Sequence, residues 1–466
     1  MPSPAGRVRG RIATFRRFSR GGYAIFASLH REVRIGVLTV GMLASVNIPK
    51  AQALQASTHP DTEDSADEKE LAEVSVAGTM APLTALQSAR IVGVITRQEI
   101  EASAAQSVND LLKLAVGVDV RQRGGFGIQT DISIDGGTFD QITLLLNGVN
   151  ISSPHTGHLA ADFPVSLSDI ERIEVLEGAA SRVYGASAFG GAINIVTRKD
   201  YTPHIDAGVQ GGMYKTFGGD VRGTFKVGSL SATYQRSDGA TTNSDFQRGQ
   251  AYLSSGYDAE TFRIDLQAGY SQKAYGANTF YSAAYPNQYE RNRRYFVSLG
   301  AETKGRLRVR PEVFWNRLLD NFELIRDTPT GENFHRSDVH GARVSADLRW
   351  AAGRTALGAE VREEGIYSTA LLPLSNPTTH KVPGEDLFYA KHDHRTNFSI
   401  NAEHNILLPR FTASIGVLAN YNTRFDSHLR FYPGVDLAYT PAAHWRLFAS
   451  YNKGFRLPTF TDLYYK

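Results

Sequence analysis

The chain has 466 residues, 42% of them hydrophobic and 10% aromatic, with a formal net charge of +3 and no cysteine. Near-neutral charge gives no electrostatic footprint for nucleic acid, and the lack of cysteine excludes disulfide frameworks, thiolate metal sites and cysteine nucleophiles. Beyond the N-terminal region no run of about 18 apolar residues occurs, so no transmembrane helix is expected.

Arg31 and Arg34 precede "IGVLTVGMLASVN", a largely apolar stretch of about 13 residues, and "AQA" at Ala51 to Ala53 supplies small residues for a cleavage site. Residues 1–53 therefore read as a secretory signal peptide with a long basic leader. The competing reading is a buried strand or helix, for which no amphipathic period is visible. Residues 54–82 contain the acidic, aromatic-free "STHPDTEDSADEKE" and are expected to form a flexible segment.

An α+β pattern follows over residues 83–199. In "AAQSVNDLLKLAVGVDV", Ser107 and Asp110 stand at capping-box spacing and Val108, Leu111 and Leu112 form an apolar face, which predicts a helix that Gly117 stops. "TDISID" and "QITLLLNG" predict short strands, with turns at Asp135-Gly136-Gly137 and Asn147-Gly148.

The stretch "IERIEVLEGAASRVYGASAFGGAINIVTRK" (Ile170 to Lys199) gathers small residues around Tyr184. A phosphate cradle would lead from a strand into a helix, but Gly185, Gly190 and Gly191 lead into strand-like "AINIVTRK". A linker is disfavoured because Ile193, Ile195 and Val196 resume an apolar pattern at once. A packed turn, where backbone approaches backbone, is the remaining reading.

From residue 200 to 466 the texture changes to long alternating segments. In "FRIDLQAGYS", Phe262, Ile264, Leu266, Ala268 and Tyr270 share one face, opposite Arg263, Asp265, Gln267 and Ser271. "VHGARVSADLRW" alternates in the same way. One such strand also suits a soluble antiparallel sheet. About a dozen, with aromatics near their ends and a secretory signal upstream, predict a transmembrane antiparallel β-barrel, apolar outward and polar inward.

These segments carry a family resemblance. "LLKLAVGVDV", "LLLNGVNI" and above all the Ile170 to Lys199 stretch resemble plug motifs of the TonB-dependent outer-membrane receptors, and "NKGFRLPTFTDLYY" is similar to a mid-barrel motif of the same family. The resemblance implies an N-terminal α+β plug inside the lumen of a barrel of about 22 strands. Residues 200–466 supply only about 11 to 13 strands, a partial barrel of a longer receptor truncated at its C-terminus. It further implies that "EVSVAG" (Glu73, Val74, Ser75, Val76, Ala77 and Gly78) is the TonB box. The expected partners are the TonB energy-transducing protein, outer-membrane lipid and an iron chelate, haem or cobalamin ligand, with an assisting surface lipoprotein left open. The implied location is the bacterial outer membrane, and the implied function is active import of a scarce large solute, an iron chelate first.

Where the family carries an arginine in two plug motifs, thought to lock the plug onto barrel glutamates, this chain has Asp135 and Glu177. Arg343, Arg349 and Arg362, on the polar phase of barrel strands, are the expected partners if those acids are buried. The alternative is that both acids sit in solvated turns. Ligand contacts are expected from Arg123, Phe126 and Gln129 in one apical loop and Pro154, His155, Thr156 and His158 in another. An aromatic barrel loop adds Tyr275, Phe280 and Tyr281. His155 and His158 either ligate haem iron or cobalt or are plain polar loop residues; two histidines without a carboxylate make a poor metal site, which favours the second. No cofactor and no enzymatic site are expected, since no nucleophile stands at a recognisable spacing from a base. A passive pore would share the barrel but lack the plug and the TonB box.

Overall fold

The structure is a computed structural model that describes residues 75–76, 80–84, 87–159, 161–185, 188–371, 380–381, 388–442 and 445–465. The expected signal segment and Glu73, Val74, Ala77 and Gly78 of the expected TonB box lie outside the described residues. Ser75 and Val76 form a two-residue strand, β1 (Ser75–Val76), antiparallel to β2 (Leu83–Thr84).

The N-terminal fold is organised around β6 (Ile142–Leu146), whose five residues are all buried. It lies parallel to β9 (Gly191–Thr197), which is antiparallel to β8 (Ile170–Glu177). β3 (Val92–Ile95) and β7 (Val149–Asn150) complete a five-stranded sheet in the order β3-β8-β9-β6-β7. β4 (Val118–Arg123) and β5 (Gln129–Ile134) form a separate hairpin. The Asn147-Gly148 turn between β6 and β7 has φ of 50° and 82°, the left-handed pair that a two-residue hairpin demands.

Two short helices brace this sheet. α1 (Arg97–Ala102) is capped reciprocally by Thr96 and Glu99, and α2 (Val108–Leu112) begins where Ser107 Oγ accepts from the Asp110 amide at 3.3 Å. The expected helix is shorter than Gly117 would allow. After Leu112 the Leu114 and Ala115 amides bond three residues back rather than four, and Leu114 and Val116 turn to solvent. With no apolar face left to bury, there is nothing to hold a further helical turn.

Thirteen strands from Ile205 to Asn452 form one antiparallel sheet in which neighbours in sequence are neighbours in space. They are β10 (Ile205–Gly212), β11 (Thr216–Phe225), β12 (Gly228–Ser237), β13 (Phe246–Asp258), β14 (Phe262–Gly276), β15 (Tyr289–Thr303), β16 (Leu307–Glu323), β17 (Asn333–Trp350) and β18 (Gly353–Ser368). After two short strands, β19 (His380–Lys381) and β20 (Phe388–Tyr389), the sheet continues with β21 (Lys391–Leu408), β22 (Phe411–Asn422), β23 (Asp426–Ala442) and β24 (Trp445–Asn452). No pairing joins β24 to β10 among the described residues. The connections are short at one end (226–227, 259–261, 304–306, 351–352), while the other end carries the long ones (238–245, 277–288, 324–332, 369–390) beside two short hairpins (213–215, 423–425). Short periplasmic turns and long extracellular loops are the habit of outer-membrane barrels.

The alternation seen in sequence sorts by face. Leu299, Val313, Val344, Leu357, Ile400 and Ile415 are exposed, a band that in water would be an aggregation surface and in lipid is a solvated one. Tyr270, Tyr295 and Trp315 form an aromatic row across three adjacent strands, with centroids 5.1 and 6.3 Å apart. On the opposite face Tyr252, Phe296, Phe314 and Val339 join Leu144, Ile151, Phe163 and Ile193 in one core cluster. The N-terminal fold thus completes its core against the concave wall.

The glycines of the Ile170 to Lys199 stretch divide by role. Gly185 closes the single turn of α3 (Ser181–Tyr184) at φ 75°, and Tyr184 packs against Leu145, Leu176 and Ala180. Gly191 has φ 154°, and a Cβ there would stand 2.5 Å from Leu176 O and 2.8 Å from Ile134 Cδ1. At Gly190 the nearest atom is 3.5 Å away, an ordinary contact. The close approach is therefore to strands of the N-terminal fold itself, not to the barrel wall, and it falls on Gly191. Gly191→Ala is expected to destabilise the N-terminal fold by about 2–4 kcal/mol, while Gly190→Ala stays near neutral. Thermal unfolding of the two purified variants checks this; equal melting temperatures would contradict it.

Candidate functional site

Two arginines of the N-terminal fold end in a buried cluster against the barrel. Arg90 precedes β3, and Arg182 lies in α3. Arg182 forms a hydrogen-bonded ion pair with Asp436 of β23, and its Nε stands 3.4 Å from Glu403 Oε2 of β21. It also donates to Gly434 O at 2.9 Å, Ser414 O at 3.3 Å and Ser414 Oγ at 3.0 Å. Arg90 Nε lies 3.4 Å from Asp436 Oδ2, and its Nη2 donates to Ala179 O. Glu403 Oε1 accepts from the Met80 amide at 3.2 Å and from Asn405 at 3.0 Å. All four side chains are at most 2% exposed. Burial lowers the Arg90 pKa, against which Asp436 works.

Asp135 and Glu177 do not take part. Asp135 is exposed in its turn at φ 50°, and its carboxylate and that of Glu177 flank Gly117. Partial burial and the neighbouring Asp135 charge raise the Glu177 pKa. Neither acid forms an ion pair with Arg343, Arg349 or Arg362 among the described residues. Arg343 pairs with Glu312 at 2.5 Å and donates to Gly148 O at 2.6 Å. Arg362 pairs with Glu364 at 2.8 Å and donates to Asn150 O at 3.1 Å, while Arg349 is exposed. The expectation of a reversed lock is corrected: the left-handed turn keeps Asp135 at the surface, Arg343 and Arg362 are neutralised by barrel acids, and Arg349 is exposed.

At the long-loop end a second polar cluster forms. In the β4-β5 hairpin Arg123 Nη1 donates to Asp131 Oδ2 at 2.7 Å and to Gln129 Oε1 at 3.2 Å. His158, from the loop after β7, bonds Asp131 Oδ1 through Nδ1 at 2.8 Å. Burial opposes ionisation of Asp131, but the His158 and Arg123 contacts outweigh it and hold the carboxyl below the usual range. Gln129 Nε2 donates to Tyr281 OH at 3.1 Å, and Tyr281 OH to Glu290 Oε2 of β15 at 2.7 Å. Tyr281 is 42% exposed, whereas Gln129 and Glu290 on either side of its hydroxyl are buried.

The other apical residues serve packing. Tyr275 is buried with Ile128, Phe246 and Ala277, and Phe126 and Phe280 pack on that cluster. Pro154 O accepts from the Phe460 amide at 2.9 Å, and His155 O from the Thr461 amide at 3.1 Å, both in or beside α4 (Phe460–Tyr464). The Thr156 hydroxyl accepts from the His158 amide at 3.4 Å. His155 is buried against His335 of β17, and burial pushes its pKa well down, with His335 and His158 adding to the effect.

Residues 84–192 match the family model of the TonB-dependent receptor plug domain, and residues 181–466, more than half of the chain, match that of the TonB-dependent receptor-like β-barrel. The chain belongs to the TonB-dependent receptors. It is similar in fold to the ferric citrate transporter FecA in its unliganded form (17% identity, TM-score 0.61, covering 78% of this chain and 63% of that one). The siderophore receptor PirA from Pseudomonas aeruginosa (16%, 0.59, 79% and 62%) and the copper transporter OprC (15%, 0.60, 81% and 64%) are similarly related. The chain thus spans under two thirds of the length of each. Members of this family are outer-membrane β-barrel receptors, not enzymes, and the outward apolar band of this receptor fits that membrane.

In this receptor one hydrogen-bonded cluster joins Arg123, Gln129, His158 and Tyr281, which the sequence offers as contacts from three separate loops, to Asp131 and Glu290, which it does not single out; nor does it single out Arg90, Arg182, Glu403 and Asp436. A lone arginine in a small-residue stretch carries no local signal of a partner 254 positions away. Arg182→Met is expected to cost about 3–5 kcal/mol, because it leaves two carboxylates facing one guanidinium. Arg182→Met with Glu403→Gln, which restores a one-to-one Arg90 and Asp436 pair, recovers part of that loss. Thermal unfolding of the three proteins reads this directly, and strict additivity would refute the coupling.

Proposed function

We propose that this receptor captures a scarce large solute at the cell surface and imports it with energy from TonB. An iron chelate, siderophore or haem, is the first choice of cargo. The observation that carries this reading is the chain from Arg123 and Gln129 of the plug through Tyr281 to Glu290 of the barrel, set at the long-loop end and open to solvent at Tyr281. A ligand seated on Arg123 and Tyr281, the members of that chain that reach solvent, would touch plug and wall at once, which lets binding alter the plug. Phe126, Phe280 and Tyr281 add aromatic surface suited to a bulky planar or catechol-bearing solute. The relatives described as ferric citrate, siderophore and copper receptors favour a metal-bearing cargo. Cobalamin remains the alternative of the same architecture. A passive pore is disfavoured by a plug that shares its core with the barrel wall.

In cells whose own receptors are deleted, uptake of radiolabelled ferric siderophores, haem and cobalamin would be compared with and without this receptor. Stimulation by an iron chelate alone supports the reading, and stimulation by cobalamin alone replaces it. Gln129→Ala with Tyr281→Phe is expected to weaken binding of the stimulating cargo by about tenfold. Unchanged affinity would remove the rim from the site.

The segment Glu73 to Gly78 is proposed to hand a strand to TonB. β1 pairs with β2 on one side only among the described residues, so its other edge can accept a partner strand. Proline at Val76 deletes one donor and fixes φ. Val76→Pro should bind cargo normally and fail to import it; import at the wild-type rate would reject the assignment.

A further inference from the structure

His155, His335 and Asp320 converge at the seam between plug and barrel. Asp320 of β16 and His335 of β17 are direct cross-strand partners, so register alone sets a carboxylate beside an imidazole. His155, from the plug loop after β7, packs against His335 with ring centroids 4.2 Å apart and the rings tilted by 32°. One ligand-capable atom from each of the three lies within 4.8 Å of the others. None of the three is more than 9% exposed. The carboxylate that the two-histidine loop lacks in sequence is thus supplied by the wall, together with a further imidazole.

Two features separate this group from an ordinary polar contact. His335 Nδ1 is buried and has no hydrogen-bond partner, an unfavourable arrangement that a Lewis acid would relieve. The flanking groups also hold the ligands as a metal site requires. Asn292 Nδ2 donates to Asp320 Oδ1 at 2.8 Å and to Glu290 Oε1 at 3.1 Å, which orients the carboxylate. The backbone of His155 is fixed by its amide bond to Ser153 Oγ at 3.2 Å and by the Thr461 hydroxyl on its carbonyl at 2.8 Å. The nearby Lys273 ammonium is engaged by Ile128 O at 2.8 Å.

We propose that His155, His335 and Asp320 bind one divalent first-row transition-metal ion, bridging the plug loop to strands β16 and β17. Two imidazoles and a carboxylate suit Zn2+ and its neighbours, and three protein ligands leave a fourth position for water or an exogenous donor. Metal–ligand distances of about 2.0–2.2 Å need the donor atoms roughly 3.3 Å apart. Rotation of the side chains by about 1.5 Å closes that gap. The site does not depend on which cargo the receptor imports, because the ion is held by side chains of this chain alone.

The test uses the untagged receptor in detergent, stripped of metal with a chelator. Titration with Zn2+ by calorimetry should show one saturable equivalent, and Co2+ should give the visible absorption bands of a four-coordinate ion. His155→Ala and His335→Ala should each weaken Zn2+ binding by about tenfold or more, and Asp320→Asn also weakens it. His204→Ala, which removes a half-buried histidine beside Asp206, should leave it unchanged. Should an alanine variant fail to fold by heat-modifiable gel mobility, His335→Gln replaces it. Full-affinity Zn2+ binding in folded His155 and His335 variants overturns the proposal. So does the absence of saturable binding of Zn2+, Co2+, Ni2+ and Cu2+ below about 1 mM.

Discussion

Two guanidinium groups and two carboxylates withdrawn from water hold the plug in this receptor. Arg90 and Arg182 on one side and Glu403 and Asp436 on the other balance to zero, and every one of them would be costly to bury alone. The cost is offset only when all four are present with their supporting donors and acceptors, the Ser414 hydroxyl, the Gly434 carbonyl and Asn405 among them. An apolar seal could be as stable, but it would tolerate sliding. A planar arginine fork accepts a carboxylate in few orientations, so the cluster fixes the register of α3 against β21 and β23. The Met80 amide bonds the same Glu403, which ties the segment next to β1 into the cluster.

The rest of the interface follows from that anchoring. With α3 fixed, the β6-β9 sheet presents Leu144 and Ile193 to a core that the wall completes through Tyr252, Phe296, Phe314 and Val339. Barrel arginines then reach plug carbonyls instead of plug acids: Arg294 bonds Ile151 O and Leu159 O, Arg343 bonds Gly148 O, and Arg362 bonds Asn150 O. Such contacts satisfy carbonyls of the edge strand β7 and of the turn and loop that flank it. They leave the side chains of those loops, His155 and His158 among them, turned to the long-loop end, where the polar rim and the histidine group form.

Local chemistry was legible. The Asn147-Gly148 turn, the Ser107 cap and the two-residue alternation of β14 and β17 each follow from interactions within a few positions, and each is present. The capping box at Thr96 and Glu99 was equally legible and marks a helix that was not foreseen. The end of α2 was misjudged because Gly117 signals a left-handed residue without saying how far before it the helix has already run out of apolar surface.

The sequence by itself determined the class of architecture: periods of two, turn residues and the small-residue stretch act over short separations and admit few alternatives. Only the tertiary structure decided which charges meet. Asp135 and Glu177 are the acids that the resemblance singles out, yet the anchoring charges are Arg90 and Arg182, whose partners lie hundreds of positions along the chain. Asp320 and His335 become neighbours through strand register, and His155 joins them only because the plug lies against that wall. An ion pair or a ligand set needs a few atoms within a few ångströms, and no spacing rule in a sequence specifies a distance between residues that far apart.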